Sequence, residues 1–295
     1  DKWKTSKKTN INEAYAKTVS ELREKGYRLI EIPMEVECLK LVSNPRRGKN
    51  MFALGLLCSV FDLSLDVARD QIALTFKKKG QEVIDSNIGL LGAGQEWATE
   101  NLDLHLPIHS AGSGETKIVV NGNTAVGLGV MASGMEVCAM YPITPATSAS
   151  HYLADVFESA GGMVHQAEDE IAACCFAIGA SYAGKTAVTI TSGPGYSLKQ
   201  EALGLAVMGE IPLVVVNVQR GGPSTGQPTK VEQGDLLAAC FGSHGDAPKI
   251  VMAAANIEDC FYSIITARKL AETYRTVVVV LTDANLATSQ QPFTR

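Results

Sequence analysis

Aromatic residues are scarce in this 295-residue chain, with 8 Phe, 8 Tyr and 2 Trp supplying 6 % of it. A core stacked from large rings is therefore excluded, while 27 Gly and 46 % apolar residues fit an α/β protein with many tight turns. Cys-x-x-Cys is missing although seven cysteines are present, so the chain has no motif for an iron–sulfur cluster or structural zinc. The five histidines form no i,i+4 pair, and no metal ligands are expected. No apolar run reaches the roughly 18–20 residues that a bilayer span needs, and no apolar stretch follows the lysine-rich start. Neither a membrane nor an export signal is expected. Positive charge is also in deficit: 26 Lys and Arg face 31 Asp and Glu, for a net charge of -5. The electrostatic footprint of a nucleic-acid partner is absent. An odd number of cysteines, mostly in apolar segments, implies reduced thiols and a cytoplasmic location. The adjacent Cys174 and Cys175 read as two small core residues on a helix.

Two pieces are expected, because single cores stop growing at about 250–300 residues. Residues 1–98 read as mostly helical: Ile11 to Lys25, Asn50 to Phe61, a helix capped by Ser64 that stops at Gly80, and Gln81 to Ala98, weakened by Gly92 and Gly94. Tyr27 to Ile32 reads as a short strand stopped by Pro33. A polar, small-residue stretch from His109 to Thr116 is the linker, giving domains of 1–110 and 111–295. Beyond it, apolar strand-like runs at 117–120, 137–140, 163–166, 186–191, 212–217, 249–252 and 276–282 alternate with helical stretches. That rhythm predicts an α/β fold with a doubly wound, mostly parallel sheet.

Two motifs invite a nucleotide reading and fail on their setting. Residues 179–186 (GASYAGKT) match G-x-x-x-x-G-K-[ST], but the mechanism needs strand, loop and then a helix whose amides face the phosphates. Here the helix comes first, so the loop would present carbonyls. A P-loop nucleotide hydrolase remains the alternative. Gly127-x-Gly129-x-x-Ala132 lies inside a helix, where close packing explains it better than a dinucleotide.

In a doubly wound sheet, ligands bind beyond the carboxyl ends of the strands. Those positions hold Tyr141–Pro145, the Glu168–Glu170 acids, Ser192–Tyr196 and a long Gly/Pro/Ser/Thr loop from Gln219. Each has a plain structural explanation as a turn or a helix start. Together, on one edge, they read as a site.

YPITP (141–145), EDE (168–170), TSGPG (191–195) and RGGPSTGQPT (220–229) together resemble the α subunit of 2-oxoacid:ferredoxin oxidoreductases, most nearly the 2-oxoglutarate type. In that type a γ domain precedes the pyrimidine-binding thiamine diphosphate domain. The stretch from Arg46 through Asn50 to Trp97 resembles the end of that γ domain. The resemblance thus implies the C-terminal part of a second α/β domain, largely helical as present, followed by the pyrimidine-binding domain.

It further implies oxidation of 2-oxoglutarate with coenzyme A to succinyl-CoA, carbon dioxide and reduced ferredoxin. Glu170 matches the catalytic glutamate at N1′ of the aminopyrimidine, with Ile143 and Pro145 beside the cofactor. Its spacing from a helix-packing glycine, Gly179, favours Glu170 over Glu168. Thr144 and Arg220 match substrate-binding positions, the guanidinium suiting a bidentate carboxylate. Ser224 and Thr225 line the 2-oxoacid or coenzyme A side. Mg²⁺, the diphosphate motif and [4Fe–4S] clusters are expected on a β subunit, in a dimer of heterodimers. The chain starts without Met and lacks the family's further α-subunit domains, so a truncated product or fragment, inactive alone, is expected. A non-catalytic fragment of the same fold is a further alternative.

Overall fold

A computed structural model describes residues 3–4, 6–44, 48–109, 112 and 114–294. Arg46, the expected boundary at Ser110 and Ala111, and Arg295 lie outside them. Contacts divide the chain into Asp1–Ser113 and Gly114–Arg295. Among the described residues, no helix is long and apolar enough to cross a membrane.

The first unit holds α1 (Thr9–Glu24), α2 (Met34–Leu39), α3 (Lys49–Phe61), α4 (Leu65–Phe76) and α5 (Gln81–Asn101). Ser64 caps α4 as its sequence position predicts, accepting a 3.3 Å bond from the Val67 amide. The expected strand at 27–32 does not form. Extended backbone needs a partner ladder, and no strand exists among the described residues of this unit. Phe52, Leu56, Val60, Leu90 and Ala98 form the core between α3 and α5. Gly94, like Gly55 opposite it, is a point of close approach rather than a weak spot, since a Cβ there would run into the Phe52 carbonyl.

In the second unit the order is β1 (Lys117–Asn121), α6 (Gly122–Ala132), β2 (Val137–Met140), α7 (Thr147–Val156), β3 (Met163–Gln166), α8 (Glu170–Tyr182) and β4 (Ala187–Thr191). It continues with α9 (Gly193–Leu198), α10 (Gln200–Met208), β5 (Leu213–Gln219), α11 (Leu236–Phe241), β6 (Ile250–Ala253), α12 (Ile257–Tyr274), β7 (Val277–Asp283), α13 (Ala284–Thr288) and β8 (Gln290–Thr294). Six strands form one parallel sheet in the order β3-β2-β4-β5-β7-β6. β1 departs from expectation: it pairs antiparallel with β8, outside the parallel sheet.

Side chains alternate across the strands and build two cores. Val214, Val216 and Val218 of β5 join α6, α7 and α12, whereas Leu213 and Val215 join α8, α10 and α11. Helices therefore cover both faces, which is why the central strands read as unbroken runs of valine. Gly129 packs as the motif's bland explanation required: a Cβ there would lie 2.6 Å from the Phe261 carbonyl oxygen on α12. Residues 179–186 span the end of α8 and the turn into β4, and Lys185 Nζ meets Glu136 Oε1 at 2.7 Å. The turn follows the C-terminus of α8 and leads into a strand, so it lacks the strand–loop–helix order of a phosphate cradle.

Cys175 and Gly179 depart from expectation. Cys174 is buried but Cys175 is exposed, because neighbouring positions on a helix point about 100° apart. Gly179 is exposed with nothing within 4 Å of a would-be Cβ, so it packs no helix within this chain.

Candidate active site

The connection from β2 through α7 leads to the edge strand β3, and the next, through α8, crosses back to β4. The chain thus reverses direction between β2 and β4, which opens a crevice at their carboxyl ends. Residues 141–146 leave β2 on one side of it, and Ser192 with α9 leaves β4 on the other.

Glu170 enters this crevice as the first residue of α8. Asp169 caps the helix by accepting a 2.7 Å bond from the Ala172 amide. That cap turns Glu170 inward, where it is 7 % exposed, and leaves Glu168 on the surface. Among the described residues no hydrogen bond to the Glu170 carboxyl group is formed. Gly195 explains how the group fits: a Cβ on it would lie 2.6 Å from Glu170 Cγ and would also strike the Thr191 hydroxyl.

Arg220 follows β5 and reaches the same crevice, 8 % exposed. Its Nη1 donates to the Thr144 carbonyl at 2.6 Å and its Nη2 to the Thr225 carbonyl at 2.5 Å. One guanidinium thus ties the loop after β2 to the loop after β5. Nε is buried with no partner, so donors remain for an acceptor. Burial lowers the Arg220 pKa from its ordinary value, and the nearby Glu170 carboxylate opposes that shift. Thr144, Ser224 and Thr225 are exposed on this rim, and Ser224 adopts a positive φ of 57°. Thr144–Pro145 and Gly222–Pro223 are cis peptides. Ile143 packs partly into the core below, and the Pro145 carbonyl accepts a 2.7 Å bond from Asn123 Nδ2.

Several supporting residues escaped sequence reading. Asn123, 1 % exposed, also reaches Ser148 Oγ at 2.7 Å and so anchors the start of α7. Asn217 and Gln219, at the end of β5, bind Asp235 through its side chain (2.9 Å) and amide (3.0 Å), and thereby tether the far end of the long loop. Gln233 does the same through Asp283 at 2.7 Å. Lys199 is completely buried between α9 and α10, with Nζ 2.7 Å from Thr189 Oγ1. Polar residues at the ends of hydrophobic strands were the available signal for Asn217 and Gln219; Lys199 had none, since it reads as an ordinary helical lysine.

Thiamine diphosphate, the group that the sequence resemblance implies, fits these residues. A buried carboxyl group without a protein donor can hold a proton at a ring nitrogen, and an unsatisfied guanidinium edge can take a carboxylate. Glycine at 195 leaves the space that the Glu170 side chain requires.

Fold and rim together define a doubly wound α/β domain with a buried acid and a buried guanidinium at its switch point, a layout suited to a small anionic ligand. Residues 128–293 match the family model described as "Pyruvate flavodoxin/ferredoxin oxidoreductase, thiamine diP-bdg", and residues 5–97 match "Pyruvate ferredoxin/flavodoxin oxidoreductase". The chain belongs to this oxidoreductase family. It is 42 % identical over 257 residues to the 2-oxoglutarate oxidoreductase subunit KorA of Mycobacterium tuberculosis, covering 84 % of this chain and 39 % of that protein. It is 46 % identical over 165 residues to the 2-oxoglutarate synthase subunit KorA of Archaeoglobus fulgidus, covering 56 % of this chain and 48 % of the relative. A solved 2-oxoglutarate:ferredoxin oxidoreductase from Magnetococcus marinus, with 2-oxoglutarate, coenzyme A and succinyl-CoA bound, superposes with a TM-score of 0.83 at 38 % identity. That match covers 95 % of this chain and 53 % of the other. The chain spans about half the length, or less, of the curated relatives it matches.

Proposed function

We propose that this chain forms part of the α subunit of a 2-oxoacid:ferredoxin oxidoreductase acting on 2-oxoglutarate, with coenzyme A as acyl acceptor. One observation carries the reading. Glu170, at the head of α8, and Arg220, at the end of β5, are both buried at the carboxyl ends of the strands, inside the segment that matches a thiamine diphosphate-binding family. Residues 1–110 are then the end of a γ-type domain and 111–295 the pyrimidine-binding domain. The complete enzyme pairs this subunit with a β subunit carrying Mg²⁺ and [4Fe–4S] clusters, works in the cytoplasm as a dimer of heterodimers, and passes electrons to ferredoxin.

Thiamine diphosphate, when bound, supplies a carbon nucleophile for the 2-oxoacid ketone. Glu170 holds a proton at N1′ of the aminopyrimidine, and its fixed place at the head of α8 keeps that contact aligned. Gly195 excludes bulk from the same spot. Arg220, pinned in plane by two carbonyls, offers its remaining donors to the substrate carboxylate. Thr144 lies next to that guanidinium and orients the ketone side, while Ile143 and Pro145 wall the cofactor ring. Ser224 and Thr225 face the 2-oxoacid or coenzyme A from the long loop.

The test is co-expression with the neighbouring reading frames, followed by a panel of 2-oxoacids with coenzyme A and a viologen acceptor. Reduction is expected with 2-oxoglutarate and not with pyruvate. A purified α/β complex that reduces the dye with no 2-oxoacid, or binds no thiamine diphosphate, overturns the reading.

A further inference from the structure

Asn123 is a buried amide whose two donors both leave its own helix. As the second residue of α6 it is 1 % exposed, a costly place for an amide unless its hydrogens are bonded. Nδ2 has two hydrogens and meets two acceptors, the Pro145 carbonyl at 2.7 Å and Ser148 Oγ at 2.7 Å. The head of α6 is itself a fixed platform. Asn121 caps it by accepting a 2.8 Å bond from the Thr124 amide, and a Cβ on Gly122 would lie 2.3 Å from the Leu286 carbonyl oxygen of α13. The loop that Asn123 grips has three successive carbonyls with three different partners. Ile143 accepts from the Thr147 amide at 3.0 Å, within the turn into α7. Thr144 accepts from Arg220 Nη1 at 2.6 Å, and Pro145 accepts from Asn123. Neighbouring carbonyls of one loop are thus held by side chains from two other elements, the head of α6 and the end of β5. Neither Pro142 nor Pro145 has an amide hydrogen with which to brace the loop from inside.

We propose that Asn123 is a positioning residue for the 2-oxoacid: it holds the Pro145 carbonyl so that the adjoining Thr144 carbonyl stays where it fixes the Arg220 guanidinium. The inference rests on the functional reading above and deepens it, adding to that site a residue that sets its affinity for the substrate carboxylate. A guanidinium recognises a carboxylate by plane and direction, so a drift of its carbonyl anchor turns its free donors away. Glu170 hangs on different supports, the Asp169 cap and the room left by Gly195. Loss of the Asn123 bonds therefore weakens binding of the substrate carboxylate and spares proton exchange at the cofactor.

The experiment uses the complete α/β complex saturated with thiamine diphosphate, Mg²⁺ and coenzyme A. Three quantities are read: KM and kcat for 2-oxoglutarate, hydrogen–deuterium exchange at C2 of the bound cofactor, and calorimetric binding of 2-hydroxyglutarate. That last probe keeps the carboxylate and has no ketone to attack, so it reports affinity without turnover. Asn123→Ala is expected to raise KM and the 2-hydroxyglutarate Kd about tenfold, with kcat and C2 exchange within about twofold of the unaltered complex. In an Arg220→Lys background the same substitution should add much less, because both changes break one clamp. Ser148→Ala, at an exposed position, removes the other acceptor and leaves the Pro145 bond, so KM should not move. An unchanged KM in Asn123→Ala, an equal fall in C2 exchange, full additivity with Arg220→Lys, or a Ser148→Ala effect as large as that of Asn123→Ala each overturns the proposal. If Asn123→Ala does not assemble, Asn123→Asp decides, since it keeps the shape and replaces both donors; the same rise in KM is expected. If neither assembles, Asn123 serves the fold alone and the proposal is overturned. Failure of the unaltered complex to bind thiamine diphosphate refutes the functional reading instead, and is a separate result.

Discussion

The two rims of the parallel sheet carry similar charged residues held in different states. At the amino end, Lys185 meets Glu136 at 2.7 Å and Arg268 meets Glu272 at 3.3 Å, with 58 % of the Lys185 side chain exposed. A cavity of about 180 Å³ opens beside them, lined by Ser181, Lys185, Thr186, Arg268 and Glu272 among others. At the carboxyl end, Glu170 and Arg220 are both buried, and Glu170 has no direct hydrogen-bonding partner among the described residues. The cavity thus lies on the rim opposite the buried acid and guanidinium. The exposed Lys185–Glu136 pair contributes little, whereas the buried Glu170 and Arg220 are costly to keep without a partner for their free groups.

Glu170→Gln in the assembled complex is the largest way to break this contrast. The amide keeps the shape but cannot relay the proton, so C2 exchange of the cofactor should fall at least about a hundredfold, with thermal unfolding unchanged. Persistent exchange would mean that the working carboxyl group is elsewhere, the exposed Glu168 being next in line. Arg220→Lys comes second. An ammonium cannot serve the Thr144 and Thr225 carbonyls and a substrate carboxylate in one plane. Charged hydrogen bonds are worth about 1.5–3 kcal/mol, so kcat/KM for 2-oxoglutarate should drop roughly ten- to a hundredfold, mainly through KM. An unchanged KM would assign Arg220 to loop bracing alone.

How much of this was legible before folding follows from what each residue answers to. The valine runs of β5 and β7 are unbroken because helices cover both faces of the sheet, and the polar residues at their ends follow the rim rule; both features are visible in sequence. Glu170 was separable from Glu168 in the sequence, but the physical cause is Asp169, whose cap rotates its successor inward. The glycine spacing singles out the acid that the fold buries, but for a reason the fold does not support, because Gly179 packs against nothing among the described residues. Tyr27 to Ile32 has strand composition, yet pairing is a tertiary property and no partner is present among the described residues. β1 has the composition of a sheet strand and lies apart because β8, a Pro-containing run, is its neighbour. Lys199 was invisible for the opposite reason: nothing local distinguishes a buried lysine from a solvated one.

The smallest expected effect lies on the amino rim and completes the contrast. Lys185→Met removes the cation of a loop that matches a phosphate-binding pattern by letter only, so nucleotide binding and 2-oxoacid turnover should be unaffected. What changes is a surface pair. The Lys185 hydrogen bond, followed by the Thr186 amide, lowers the Glu136 pKa from 4.5. A depressed carboxyl pKa stabilises the fold above the ordinary value, and the gain is lost as pH falls through the folded one. In denaturant titrations the unaltered chain should therefore lead the variant slightly at pH 7. The gap should shrink in high salt, because exposed charges are screened, and close as pH drops below 4.5. A gap that persisted at pH 3, or any loss of turnover, would show that Lys185 works through something other than Glu136, and the two rims would no longer differ in kind.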